Sequence, residues 1–127
     1  MSQLLNRVLV VEDAPVMRRY YRQVLEGAGF AVEEAENGAQ ALEAVAEREF
    51  DLCITDINMP VMDGTSFVRT LRRAGPQAAL PVLMITVQSG DEDRAQALQA
   101  GANAFLAKPV ARERLAAYAR LMLGRGA

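Results

Sequence analysis

Apolar and polar positions along this chain switch repeatedly between two spacings. Val8-Leu9-Val10-Val11 is an unbroken apolar run, the pattern of a strand buried on both faces. Ala14-Pro15 follows, and proline suits the first turn of a helix. Met17, Tyr20, Tyr21, Val24, Leu25 and Ala28 then recur at helical spacing, and Gly27 and Gly29 offer a stop. Phe30 to Ala35 reads as a second strand, interrupted by Glu33 and Glu34, which fits the edge of a sheet. Asn37-Gly38 is a turn or N-cap signal before the stripe Ala39, Leu42, Val45 and Ala46. Leu52-Cys53-Ile54 predicts a third strand running into Thr55-Asp56. Asn58-Met59-Pro60 and Asp63-Gly64 predict a turn-rich loop, and Phe67, Val68 and Leu71 a third helix. Pro81 to Ile85 predicts a fourth strand ending at Thr86. Asp91 to Ala100 predicts a helix closed by Gly101, Ala102 to Ala107 a fifth strand, and Ala111 to Leu123 a last helix.

Five strands alternating with five helices predict an α/β fold: a doubly wound parallel sheet, covered on both faces and joined by right-handed crossovers. The 127 residues suit one domain, 1–127, with 124–127 a frayed tail. At 51% apolar and 24% charged residues, the balance is that of a globular chain. Fourteen basic against 16 acidic side chains give a net charge of −2, which supplies no drive toward nucleic acid or an anionic membrane. No apolar run reaches the roughly 20 residues that span a bilayer, and Met1 to Arg7 lacks the pattern of a secretory signal. Cys53 is the one cysteine, so no intramolecular disulfide forms; the expectation is a cytoplasmic home and an inert core thiol. There is no histidine, which removes Cys/His zinc sites and any Ser–His or Cys–His catalytic pair. The available chemistry is that of carboxylates, hydroxyls, Lys, Arg or a bound ion.

In an open α/β sheet, ligands bind beyond the carboxyl ends of the strands. Strand one ends at Glu12-Asp13, strand three at Asp56, strand four at Thr86, and strand five just before Lys108-Pro109. Each alone reads as a solvated loop residue; together they predict one polar rim. Two carboxylates about 4 Å apart repel by on the order of 4 kcal/mol at an intermediate dielectric. A divalent cation relieves that, and an all-oxygen donor set suits Mg²⁺. A lysine opposite can balance phosphoryl oxygens and a threonine can hydrogen-bond one. Asp56, in the centre, is then placed as a nucleophile that forms an aspartyl phosphate.

The stretches Val8 to Asp13, Asp56-Ile57-Asn58-Met59-Pro60-Val61-Met62-Asp63-Gly64, Ile85-Thr86 and Lys108-Pro109 resemble the response-regulator receiver domains, over essentially the whole chain. The resemblance implies a flavodoxin-like sheet of order 2-1-3-4-5, with Asp56 as phosphoacceptor. It implies Mg²⁺ held by Glu12, Asp13 and Asp56, directly or through waters, with the Asn58 backbone carbonyl. Lys108, joined to Pro109 by a cis bond, would pair with the phosphoryl group. Thr86 would move toward it, and the ring of Phe105 would turn inward behind Thr86. Such a chain is a phosphorylation-activated switch that catalyses its own phosphorylation and dephosphorylation, not an enzyme that turns over external substrates. The donor would be a histidine kinase or histidine phosphotransfer protein, and the output a protein contact around Asp91 to Arg94, Phe105 and Arg112 to Tyr118. The Met17-Arg18-Arg19 helix start and the Asn58 to Gly64 loop look most like stand-alone chemotaxis receivers, which bind the flagellar motor switch. Val87 stands where the family usually places a small residue, which would narrow access to Asp56; Gln88 follows at a position that influences phosphoryl lifetime. The rivals are a receiver fragment of a larger regulator and, from another class, a Mg²⁺-dependent phosphatase with an aspartyl-phosphate intermediate. The haloacid-dehalogenase-like phosphatases carry a second acid where this chain has Asn58.

Plainer roles are assigned to the remaining marked residues. Met17, Met59 and Met62 read as packing, with Met59 and Met62 also beside a docking loop. One of Tyr20 and Tyr21 must turn away from the core. Arg18, Arg19 and Arg22 read as a solvated helix face, with kinase docking as the rarer use.

Overall fold

The computed structural model describes residues 6–73, 77–87 and 90–123. In chain order the elements are β1 (Arg7–Val11), α1 (Pro15–Gly27), β2 (Ala31–Ala35), α2 (Gly38–Glu47) and β3 (Leu52–Thr55). They continue with α3 (Gly64–Arg73), β4 (Val82–Thr86), α4 (Asp91–Ala100), β5 (Ala104–Ala107) and α5 (Arg112–Met122). The strands form one parallel sheet of order β2-β1-β3-β4-β5.

The unbroken apolar runs have the expected consequence: alternate residues of one strand serve two cores. Val8, Val10, Leu52, Ile54, Leu83, Ile85 and Leu106 join the layer under α1 and α5. Leu9, Val11, Cys53, Met84 and Phe105 join the layer under α2, α3 and α4. Cys53 is buried there, and loss of hydration holds its thiol pKa well above the ordinary value. Tyr21 faces the α1–α5 core and Tyr20 is half-buried, its hydroxyl donating to the Val110 carbonyl at 3.0 Å.

β2 lies at the edge, as its two glutamates require. Glu33 pairs with Arg48 and Arg7, and Glu34 with Arg18 and Arg22. Arg18 therefore departs from the solvated reading: its guanidinium lies between α1 and β2, 15% exposed, whereas Arg19 is exposed.

Local signals set the helix ends. Asn37 caps α2, accepting from Gln40 N at 2.9 Å, and Gln40 Oε1 in turn accepts from Glu36 N at 2.9 Å. α4 has no side-chain cap but carries Asp91, Glu92 and Asp93 in its first turn, where negative charge opposes the helix dipole favourably. β5 starts two residues later than its apolar run suggests. Asn103 pairs with Val82 through its own N–H and its side-chain oxygen, both at 2.8 Å, so the chain is held there by a side chain rather than by a strand ladder. The segments 1–5 and 124–127, and Gln88, lie outside the described residues. No described helix is long and apolar enough to cross a membrane.

Candidate functional site

The ladder carries on one residue past β1, β3 and β5. Glu12 N donates to Ala35 O at 3.0 Å, Asp56 N to Val11 O at 3.1 Å, and Lys108 N to Thr86 O at 2.8 Å. These bonds align the ends of β1, β3, β4 and β5 and bring Glu12, Asp56, Thr86 and Lys108 to one rim. The Lys108–Pro109 peptide bond is cis.

Lys108 Nζ donates to Glu12 Oε1 at 2.9 Å and to Asp56 Oδ2 at 3.0 Å. Asp56 Oδ1 accepts from its neighbour Ile57 N at 2.7 Å. Glu12 is 1% exposed, and its second oxygen accepts from Ala14 N at 3.1 Å. Carboxylate oxygens of Glu12, Asp13 and Asp56 lie within 4.8 Å of one another. Three carboxylates face one ammonium, which leaves a local excess of about two negative charges if all are ionised. Burial raises the Glu12 pKa above its ordinary value, with Asp56 adding repulsion against the hydrogen bonds from Lys108 and Ala14. Burial also opposes the Lys108 charge, but the bonds to Glu12 and Asp56 outweigh it and hold its pKa above the ordinary lysine value. Lys108 is thus an ammonium at neutral pH, one positive charge among three acidic side chains. A hard divalent cation answers that excess, and the all-oxygen donors fit Mg²⁺.

The loop between β3 and α3 is anchored from three sides. Gly64 N donates to Ile57 O at 2.8 Å, and Gly38 N to Met62 O at 2.9 Å. Asp63 caps α3, its Oδ1 accepting from Ser66 N at 2.7 Å. Gly64 packs so closely that a Cβ there would meet the Asp56 carbonyl oxygen head-on, with Asp56 C at 3.0 Å and Ile57 Cα at 3.2 Å. The Asp63-Gly64 pair reads from sequence as a turn; its structural office is a cap plus a close backbone approach behind Asp56. Val61 adopts φ 69°, and Met62 N donates to Pro60 O at 2.7 Å across it. Met59 and Met62 pack against the core under α2 and α3, as expected.

Thr86 is fully buried. Phe105 is 7% exposed and already part of the core under α3 and α4. The ring therefore lies inside in this structure, in the same cluster of buried residues as Met84 and Ala97. Val87 is 70% exposed at the rim, and Asn58 is exposed on the loop.

Residues 8–120 match the model of the response regulator receiver domain family. The chain belongs to that family. It is 40% identical over 121 residues, 95% of its length, to the KDP operon transcriptional regulatory protein KdpE of Escherichia coli, and it spans about half of that relative, 52%. Among solved structures, the chemotaxis protein CheY4 of Vibrio cholerae superposes with a TM-score of 0.88 at 33% identity, covering 94% of this chain and 99% of that one. The receiver domain of a sensor histidine kinase from Pseudomonas aeruginosa, solved with a magnesium ion in its active-site cleft, matches with a TM-score of 0.88 at 30% identity, covering 95% and 99%. Membership removes the ground for the phosphatase alternative. The relatives include transcriptional, chemotactic and kinase-borne receivers.

Two residues of this receiver domain escaped the sequence reading. Gln77 stitches three backbone groups, donating to Val45 O at 2.7 Å and Arg48 O at 2.6 Å and accepting from Phe50 N at 2.7 Å. Arg72 ties α3 to the turn before β5 through Gly101 O at 2.8 Å and Asn103 Oδ1 at 3.0 Å. Neither has a local sequence signal, because their partners are backbone groups or, for Asn103, lie far along the chain.

Proposed function

We propose that this receiver domain is a phosphorylation-activated switch in which Asp56 accepts a phosphoryl group from the phosphohistidine of a kinase or phosphotransfer protein. The observation that carries the reading is the convergence of Asp56 with Glu12, Asp13 and Lys108. A carboxylate oxygen of Asp56 attacks phosphorus in line. The new O–P bond forms as the P–N bond breaks, and the imidazole leaves with its electron pair and is reprotonated from solvent. Glu12, Asp13, Asp56 and the Asn58 carbonyl would hold Mg²⁺, which would supply charge neutralisation for the acids and the phosphoryl oxygens. Lys108, already in contact with Asp56 Oδ2, follows the phosphoryl group and balances its remaining charge. Thr86 hydrogen-bonds a phosphoryl oxygen by moving inward, and that shift repacks Phe105 and the α4–β5–α5 face. Added charge of about −1.5 to −2 drives the change. Output is a protein contact on that face, where Arg94, Leu98, Arg112 and Leu121 are exposed. A chemotaxis output at the flagellar motor switch is the subtype favoured by the Met17-Arg18-Arg19 and Asn58 to Gly64 stretches, within a cytoplasmic signalling pathway.

Incubation with a small acyl-phosphate donor and Mg²⁺, followed by intact mass, tests the assignment. One phosphoryl group is expected on the wild type and none on Asp56→Asn. Labelling that survives Asp56→Asn, or that proceeds without a divalent cation, ends the proposal.

A further inference from the structure

The Arg18 side chain makes two kinds of contact that a solvated helix face does not require. Its Nε donates to Glu34 Oε1 at 2.8 Å, and its Nη1 donates to the Glu12 backbone carbonyl at 2.7 Å, with the Asp13 carbonyl at 3.5 Å. Glu34 is shared: its other oxygen accepts from Arg22, whose Nε reaches Glu26 Oε2 at 3.1 Å. Arg22 touches the same glutamate but, among the described residues, makes no hydrogen bond to the Glu12-Asp13 segment. One guanidinium therefore joins three parts of the fold: the first turns of α1, the edge strand β2, and the segment beyond β1 that bears two of the three clustered acids.

We propose that Arg18 is a positioning residue for the Mg²⁺ site, acting by clamping the peptide unit between Glu12 and Asp13; the inference rests on the acidic cluster being that site. The Glu12 N–H is fixed by Ala35 O. The Arg18 bond fixes the carbonyl on the other side of the same residue. Both side chains extend from this short stretch of backbone, so its peptide plane sets where their oxygens lie. Mg²⁺ demands near-ideal octahedral geometry, so a donor pair free to swivel binds it less well. A bare guanidinium beside a cation site would also repel the ion. Glu34 cancels that charge while orienting the planar fork, and a lysine cannot serve both partners at once.

The test is Mg²⁺ affinity by isothermal titration at fixed ionic strength, on wild type, Arg18→Met, Arg18→Lys and Arg22→Met. Loss of an outer partner of a metal ligand costs on the order of 10-fold in affinity, and that is the weakening expected for Arg18→Met. Arg18→Lys keeps the charge and the stem and should still weaken binding by about threefold or more, since it loses the fork; it carries the test if the Met variant does not fold. Arg22→Met removes a Glu34 pair without touching the Glu12 carbonyl, and should leave affinity within about twofold, the scale of a surface ion pair. Equal affinity in wild type and the Arg18 variants overturns the clamp, as does weakening by Arg22→Met as large as by Arg18→Met. A wild type that binds no Mg²⁺ is a different result: it removes the metal site itself and the clamp with it.

Discussion

Gly64 offers a sharp test of how the β3–α3 loop serves Asp56. Its backbone is not in the left-handed region; the constraint is space. Replacing it with alanine puts a methyl group against the Asp56 carbonyl oxygen, with Asp56 C at 3.0 Å and Ile57 Cα at 3.2 Å. All three are main-chain atoms, so no side chain can swing aside. Relief requires α3 and the Asp56 peptide to separate, which also stretches the 2.8 Å bond from Gly64 N to Ile57 O. Overpacking costs about 1–3 kcal/mol, and a lost hydrogen bond adds about 1 kcal/mol. Gly64→Ala should therefore lower stability by about 3 kcal/mol, read from urea unfolding at unchanged m-value. Because the displaced atoms belong to Asp56, acyl-phosphate labelling should fall by on the order of 100-fold, the effect of misplacing a reacting group by about 1 Å. Gly27→Ala is the control. Nothing lies within 4 Å of a Cβ there, and the change should move stability by less than about 1 kcal/mol, on the stabilising side. If Gly64→Ala unfolds with the wild type and labels at the same rate, the close approach is not what holds Asp56.

Two further outcomes are expected. Tyr21 is buried with no hydrogen-bond partner for its hydroxyl among the described residues, and burial pushes its pKa up to about 12. Tyr21→Phe keeps the ring and should raise stability by about 1 kcal/mol, since an unpaired buried hydroxyl is a net penalty; a loss in the same urea assay would show that the hydroxyl is paired in solution. The bonds from Arg22 and Arg18 hold the Glu34 pKa below its ordinary value of 4.5. A lowered carboxylate contributes stability that is present above the unfolded value and lost as pH falls through the folded one. The thermal-midpoint difference between wild type and Glu34→Gln should thus stay level from neutral pH down to about 4.5 and shrink below it. Shrinkage that is complete before that point would contradict the ion-pair assignment.

The strand and helix periods, the edge position of β2 and the five rim residues Glu12, Asp13, Asp56, Thr86 and Lys108 were all present in the sequence. They are written locally: apolar runs of three to five residues declare buried parallel strands, and the polar residues after each run lie at the carboxyl edge where ligands bind. Even the cap at Asn37 is a short-range signal. The sequence alone could not declare the contacts of Arg18, Gly64, Gln77 and Arg72. Arg18 looked solvated because its partners Glu34 and Glu12 O come from another strand and from backbone, and backbone carbonyls have no letter in the sequence. Gly64 looked like a turn because the atom that excludes its Cβ belongs to Asp56. Gln77, between α3 and β4, bonds to Val45, Arg48 and Phe50 at the end of α2 and before β3, and only the fold brings these two stretches together. Hydrophobic period sets which face of an element is buried; which distant polar atom fills each remaining valence is decided only when the faces meet.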